Sequence, residues 1–470
     1  MKKYKAVFVI AGLLVTVICI VVPTVYLIQD QEEDQPEDDP VFAFSEDSPV
    51  LERFQVGEDK VLELKDKEEY KERRGEDGYS GIPGSEEDSV VSSFSRFLGR
   101  SSKDSLEVES AIEESFDYEE SNSPQQAANL KGGEIDDNEL FQQYLEYIQT
   151  ANKGNGYDID LSHRYLIKVE DLEGKGVLGH KLVMEDGMGQ EYRIRTDTDG
   201  QIYFYPSSYI VPNNQVRGNN EYPGEYKIYY SDNRYVEFSE LEDEWVIDLD
   251  YAVNNKSNLT LDLAFIIDTT GSMSDQINKL KDTIQSISNR VKSLSVQPKI
   301  RYGMVIYRDQ QDEYLTRVYD FTEDLNEFQA NLNKVRASGG GDYEEDVNTA
   351  LADSLEELSW GKDKNTVRIS FLVADAPPHM DYGQNYDYRT AMLRALELGV
   401  KIYPLASSGL DNSEGEYMFR QIALITNAKY VFITNAQGGT DYHVSENDYS
   451  VEKLDDLIVA LISGELESVE

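Results

Sequence analysis

Hydrophobic and polar positions follow several distinct rhythms along the chain. Residues 6–28 are an unbroken uncharged run, AVFVIAGLLVTVICIVVPTVYLI. As a helix rising about 1.5 Å per residue it would span roughly 34 Å, enough to cross a bilayer. From 29 to 135 no apolar period is sustained and Ser, Glu and Asp dominate, which predicts a disordered, self-repelling stalk. Leu140, Phe141, Tyr144, Leu145 and Ile148 then step by three and four. They predict a helix capped by Asp136 or Asp137 and running to about Thr150. From about 160 to 252 the period becomes two. Strand-like segments at 165–169, 181–184, 191–195, 201–205, 226–230, 234–238 and 245–249 are separated by turns such as Glu173-Gly174, Asp186-Gly187 and Asp199-Gly200. Short antiparallel strands at this spacing predict a small all-β sandwich.

From Leu261 onward, apolar runs of strand length alternate with amphipathic helices. Strands are predicted at 261–267, 302–307, 317–321, 367–374, 401–406 and 429–433. Helices are predicted at 273–294, 325–335, 346–358, 388–398, 416–426 and 451–462. This alternation predicts an α/β domain with a mostly parallel sheet covered on both faces. The expected organisation is a stub (1–5), a transmembrane anchor (6–28), a disordered acidic stalk (29–135), a short helix plus β-sandwich (136–257) and the α/β domain (258–470).

Charge sharpens this organisation. Lys2, Lys3 and Lys5 precede the apolar run, and Asp30, Glu32, Glu33 and Asp34 follow it. By the positive-inside rule the N-terminus is expected in the cytoplasm, with the chain a single-pass cell-membrane protein and its C-terminal domains extracytoplasmic. A cleaved signal fits less well, because its apolar region is usually about 7–15 residues long and ends in small residues; this run ends Tyr26-Leu27-Ile28. Over 470 residues, 44 basic side chains stand against 90 acidic ones, for a net charge of −46. That balance excludes nucleic acid as a partner, since phosphate binding needs clustered Lys and Arg. The single cysteine, Cys19, excludes an intrachain disulfide and a cysteine zinc site. Oxygen chemistry with hard cations remains.

In a parallel sheet, ligands bind beyond the carboxyl ends of the strands. Three chemistry-bearing loops lie there: Asp268-Thr-Thr-Gly-Ser272, Gly339-Gly-Gly-Asp342 and Asp375-Ala-Pro-Pro-His379. Their carboxylates and hydroxyls could converge on one divalent cation, with Mg²⁺ suited by its wish for about six oxygens and retained waters. Alternatives stand beside this: Asp268 as a helix cap, Asp309 as the ion-pair partner of Arg308, and His379, Tyr382 and Tyr386 as packing residues.

Asp268-x-Thr270-x-Ser272 at the end of an apolar strand, with Asp375 ending a later one, resembles the metal-ion-dependent adhesion site of von Willebrand factor type A domains. The resemblance runs from Leu259 to the C-terminus. It implies a Rossmann-like fold, a Mg²⁺, Ca²⁺ or Mn²⁺ ion at Asp268, Thr270, Ser272, Asp342 and Asp375, and a partner whose carboxylate completes the shell. The middle loop departs from the usual threonine by presenting Asp342, followed by Tyr343-Glu344-Glu345-Asp346. With Tyr307-Arg308-Asp309 and Ala374-Asp375-Ala-Pro-Pro-His379 it resembles a prokaryotic, membrane-anchored branch with aspartate at the loop position. Tyr343, Glu344 and His379 are the expected ligand-facing residues. Residues 172–206, through Thr196-Asp197-Thr198-Asp199-Gly200, resemble more weakly a carboxypeptidase-regulatory-like sandwich. There Asp197 and Asp199 could bind calcium or form a plain turn.

No G-x-x-x-x-G-K-[ST], G-x-S-x-G or H-E-x-x-H motif occurs, and no Lys or Arg sits in the three loops to support phosphoryl transfer. A non-enzyme is therefore expected. Its function would be metal-dependent recognition of a protein or surface ligand at the cell surface, with a structural scaffold as the alternative and a Mg²⁺-dependent phosphoryl hydrolase as a remote one. The sequons at Asn255 and Asn258 are expected to be accessible in a linker.

Overall fold

A computed structural model describes residues 131–161, 163–209, 224–239, 241–256, 258–407, 410, 413–434 and 452–469. The expected stub, the apolar segment 6–28 and the stalk as far as residue 130 lie outside the described residues. Among the described residues no helix is long and apolar enough to cross a membrane. The longest, Ser274–Lys292, shows why: it carries Asp275, Lys279, Lys281, Asp282, Arg290 and Lys292 around one apolar stripe, the pattern of a helix lying on a core. The transmembrane helix, the membrane-anchored branch, the membrane tether and the single-pass extracytoplasmic placement are therefore not supported, and they are set aside.

In chain order the described elements begin with strand β1 (Lys131–Ile135) and helix α1 (Phe141–Thr150). Seven strands follow: β2 (Tyr165–Glu170), β3 (Lys181–Asp186), β4 (Glu191–Arg195), β5 (Gln201–Phe204), β6 (Glu225–Ser231), β7 (Arg234–Ser239) and β8 (Glu244–Asp248). The α/β part comprises β9 (Thr260–Asp268), α2 (Ser274–Lys292), β10 (Lys299–Tyr307), β11 (Thr316–Thr322), α3 (Leu325–Leu332), α4 (Val347–Glu356) and β12 (Thr366–Ala374). It continues through α5 (Tyr388–Leu398), β13 (Val400–Ala406), α6 (Glu414–Ile425), β14 (Tyr430–Thr434), β15 (Glu452–Lys453) and α7 (Leu454–Glu467).

The large sheet is mixed, in the order β11-β10-β9-β12-β13-β14-β1-β15. Strands β10, β9, β12, β13 and β14 are mutually parallel, and antiparallel β11 and β1 flank them. Central strand β9 is buried along nearly its whole length, as a strand covered on both faces must be. Its alternate side chains serve two cores. Leu261, Leu263, Phe265 and Ile267 meet the apolar stripe of α2 and the buried face of α7. Ala264 and Ile266 meet α4, α5 and α6.

Strand β1 is the element that the sequence pattern hid. Residues 131–135 were expected in the disordered stalk, yet they pair with β14 on one side and β15 on the other. Gly133 is needed there, because a Cβ would stand 2.4 Å from the Phe432 ring. Just after it, Asp137 forms a wholly buried ion pair with Arg420 of α6, Oδ2 accepting from Nε at 3.0 Å. The Arg420 guanidinium also lies 3.8 Å from the Tyr147 ring centroid.

Residues 163–249 form two small sheets, β4-β3-β6-β7 and β5-β2-β8, whose inward faces meet through aromatic contacts. Tyr165 stacks on Trp245 with centroids 4.2 Å apart, and Tyr226 of the other sheet lies 5.1 Å from Trp245. This core is continuous with the α4–α6 side of the large sheet. Polar bonds reinforce the junction: Asn427 accepts from the Tyr203 amide at 2.7 Å, and Glu465 accepts from Thr198 at 2.7 Å. Asp197 pairs with Lys401 at 3.0 Å, so the Asp197–Gly200 turn serves as a contact between the two parts. Asn255 is buried and donates to the Gly176 carbonyl at 2.7 Å; the first sequon is therefore closed to modification in the folded chain.

Asp137 and Arg420 are fully buried, and the guanidinium also meets Glu416 Oε1 at 3.4 Å, so removing Arg420 strands two buried carboxylates at once. Arg420→Met is expected to cost about 3–5 kcal/mol in denaturant unfolding of the chain, and adding Asp137→Leu and Glu416→Gln should recover most of that loss. Equal instability of the single and triple variants would place the effect in lost packing.

Candidate metal centre

The parallel register brings three strand ends to one edge. Tyr307 of β10 pairs with Asp268 of β9, and Val373 of β12 with Ile267. Arg308-Asp309, Thr269–Ser272 and Asp375–His379 thus leave the sheet side by side. The loop from 336 to 346 is laced to two of these exits. Ser338 donates to the Thr269 carbonyl at 2.9 Å, and Gly271 to the Gly339 carbonyl at 3.1 Å. Farther on, Glu345 donates to the Pro377 carbonyl at 3.0 Å, and His379 returns a bond to the Glu345 carbonyl at 3.1 Å. Gly339 and Gly340 have φ of +88° and +82°, which glycine adopts freely. A Cβ on Gly339 would overlap the Asp312 carboxylate, and the Gly340 amide donates to Asp312 at 3.0 Å.

Asp268 is wholly buried. Its Oδ1 accepts from the Thr270 amide at 2.8 Å and the Thr270 hydroxyl at 2.7 Å. Its Oδ2 has no hydrogen-bond partner. Asp375 is half-buried and accepts from the Ser272 hydroxyl. Burial pushes the Asp268 carboxyl up to about 7, the Thr270 bonds resist, and the nearby charges of Asp375 and Asp312 add to the rise. Glu345 is pushed further, to about 9, by burial and by Asp268, Asp309, Asp312 and Asp375. Its Oε2 is likewise unpartnered.

Beside this lies a triad able to coordinate a metal: one ligand atom each from Asp309, Asp342 and His379, all within 4.8 Å of one another. His379 Nε2 is 3.8 Å from both Asp309 Oδ1 and Asp342 Oδ1. Nδ1 of the same ring meets Asp381 Oδ1 at 2.9 Å. The Tyr382 ring stacks on the imidazole at 3.8 Å, and its hydroxyl donates to Asp309 at 2.7 Å.

The expected site residues therefore fall into groups. Asp268, Thr270, Ser272 and Asp375 cluster at the β9 and β12 ends. Asp342, largely exposed, faces His379 instead. Tyr343 is 44% exposed at the rim, and Glu344 is half-buried. The sequence left Asp309 as a partner for Arg308, but the two do not pair: Arg308 donates to the Thr269 and Arg336 carbonyls and lies over Tyr314. Glu345 was missed altogether. In a run of consecutive acids, only its backbone bridge to Pro378 turns it inward.

Residues 262–445 match the von Willebrand factor A domain. That family is in general a non-catalytic protein-interaction domain, in agreement with the reading of the chain as a non-enzyme. The chain is similar, at 32% identity over 121 residues, to the alpha-protein kinase vwkA of Dictyostelium discoideum, covering 25% of this chain and 19% of that protein. It is also similar, at 32% identity over 119 residues, to the ariadne-like RING finger protein R811 of Acanthamoeba polyphaga mimivirus, covering 25% of this chain and 11% of that protein. The chain thus spans less than a fifth of the length of either relative.

The raised carboxyls of Asp268 and Glu345 bind protons more tightly when folded than in the unfolded chain, where both ionise near about 4. The metal-free fold therefore loses stability as pH climbs from about 4 toward their folded values. A bound cation removes that loss by favouring the ionised forms. The rise in melting temperature on adding Mg²⁺ should accordingly be larger near about pH 8.5 than near about pH 5.5. An equal rise at both values would show that these carboxylates do not meet the ion.

Proposed function

We propose that the von Willebrand factor A-type domain recognises a protein or surface ligand through a divalent cation, Mg²⁺ or else Ca²⁺ or Mn²⁺, held by Asp268, Thr270, Ser272 and Asp375. The observation that carries this reading is the bare Oδ2 of Asp268. A wholly buried carboxylate oxygen without a partner is costly, and a cation beside Asp375 would satisfy it. The donor set is all oxygen, as hard cations prefer.

Four side-chain oxygens leave about two of six positions open on such an ion. Ser272, at the exposed end of the set, lies where a ligand from outside would approach. Asp342 lies toward His379, its Oδ1 3.8 Å from Nε2, and Tyr343 and Glu344 at the rim are the partner-contacting residues. The excess of carboxylates favours a partner that brings basic side chains along with its oxygen ligand.

The alternative, a scaffold whose metal only stabilises it, differs in one measurable respect. With Mn²⁺ bound to the chain, water-proton relaxation reports its open positions. Acetate or an aspartate-containing peptide should displace bound water and lower the relaxivity in the wild type, while Asp268→Ala should lose Mn²⁺ binding itself. Tight Mn²⁺ binding that acetate and peptide leave unchanged would favour the scaffold.

A further inference from the structure

We propose that Asp309, Asp342 and His379 form a second cation site, separate from the strand-end site and selective for a first-row transition ion such as Zn²⁺ or Co²⁺, so that the edge holds two unlike metals side by side. This rests on the reading that the Asp268 cluster holds a hard cation, and it adds a neighbour of different chemistry.

The argument begins with His379. Its side chain is 6% exposed, yet Nε2 has no hydrogen-bond partner. A buried ring nitrogen is normally satisfied. Asp381 accepts from Nδ1 at 2.9 Å, which leaves Nε2, on the side of Asp309 and Asp342, as the ring nitrogen a metal would take. A histidine that donates one ring N–H to a carboxylate while its other nitrogen meets a metal is the usual arrangement of metal-bound imidazole. The two carboxylate oxygens stand 3.8 Å from Nε2, too far for hydrogen bonds. Bound tetrahedrally to one ion at about 2.0–2.2 Å, such ligands would lie roughly 3.3–3.6 Å apart; the two imidazole distances need close by only a few tenths of an ångström, and exposed Asp342 can move to bring its oxygen, already within 4.8 Å of Asp309, into range. Three protein ligands with a fourth position open is a common zinc arrangement.

Tyr382 supports the same geometry from two directions. It stacks on the imidazole and donates to both oxygens of Asp309, at 2.7 and 2.8 Å, fixing ring and carboxylate against each other. It is a positioning residue and not a ligand. The ligand types separate the two sites: imidazole suits transition ions, and an all-oxygen set suits Mg²⁺, Ca²⁺ or Mn²⁺. The charge balance favours two ions as well. Asp268, Asp309, Asp312, Asp342 and Asp375 crowd one edge, while Arg308 donates to backbone carbonyls and lies 3.7 Å from Glu313. One divalent ion would leave most of that repulsion in place.

The test is metal content of the full chain after chelation and equilibrium dialysis, read by elemental analysis. Against Zn²⁺ in the presence of millimolar Mg²⁺, the wild type should retain one zinc per chain. Against Mn²⁺ added after zinc, it should take up one more ion. His379→Gln should weaken zinc retention at least tenfold and leave the manganese, whereas Asp268→Asn should do the reverse. Tyr382→Phe should weaken zinc by a smaller factor and leave manganese unchanged. Co²⁺ in the wild type supplies a readout independent of any variant: a hyperfine-shifted exchangeable proton from His379 Nδ1–H. Zinc retention unaltered in His379→Gln, or a wild type that binds manganese but no zinc, would overturn this proposal and leave the strand-end site standing. A single ion lost equally in both variants would mean one shared site and would also overturn it. Zinc bound through His379, with no metal lost in Asp268→Asn, would support this site while removing the strand-end reading on which the pairing depends.

Discussion

The edge of the sheet is organised around a carboxylate that cannot be satisfied by the protein alone. Asp268 ends a strand buried along nearly its whole length, and its own side chain is fully buried. Thr270 answers one oxygen through two bonds and leaves the other bare. The charges that act on it, Asp375 and Asp312, carry the same sign. In a low-dielectric interior such repulsion is several-fold stronger than in water. The loops nevertheless stay close, because their positions are fixed by backbone bonds that run from loop to loop. The result is a preorganised acceptor set whose natural complement is positive and small.

Rigidity at that edge depends on packing far from it. The strands that aim Asp268, Asp309 and Asp375 are held by two cores, one of which extends without interruption into the two small sheets. Strand β1 and the Asp137–Arg420 pair anchor residues N-terminal to the small sheets against the far side of the large one. The 136–257 and 258–470 segments are thereby joined through a shared interior, with bonds such as Thr198–Glu465 and Tyr203–Asn427 along the seam.

Much of the α/β architecture was legible because burial leaves a plain imprint. The apolar run ending at Asp268 and the three-and-four stepping of Ile277, Leu280, Ile284, Ile287 and Val291 reappear as β9 and α2. What stayed hidden has physical reasons. Lys131-Gly-Gly-Glu-Ile135 has two glycines and one apolar side chain, so its strand arises from pairing with β14 and β15 and not from propensity. Asp309 beside Arg308 looked self-contained, yet Tyr382, seventy-odd residues away, claims the carboxylate. Glu345 is one acid among several, and its inward turn is set by the Pro378 bridge. The residues at 6–28 looked like an anchor from their length and apolarity, whereas no described helix is both long and apolar enough to cross a membrane.

The most direct test of this account is anomalous diffraction from crystals of the chain grown with Mn²⁺. The account predicts a peak within coordination distance of Asp268 Oδ2 and Asp375, with Ser272 and Thr270 alongside. Well-ordered density for this edge, with no anomalous peak beside Asp268 at millimolar Mn²⁺, would contradict it.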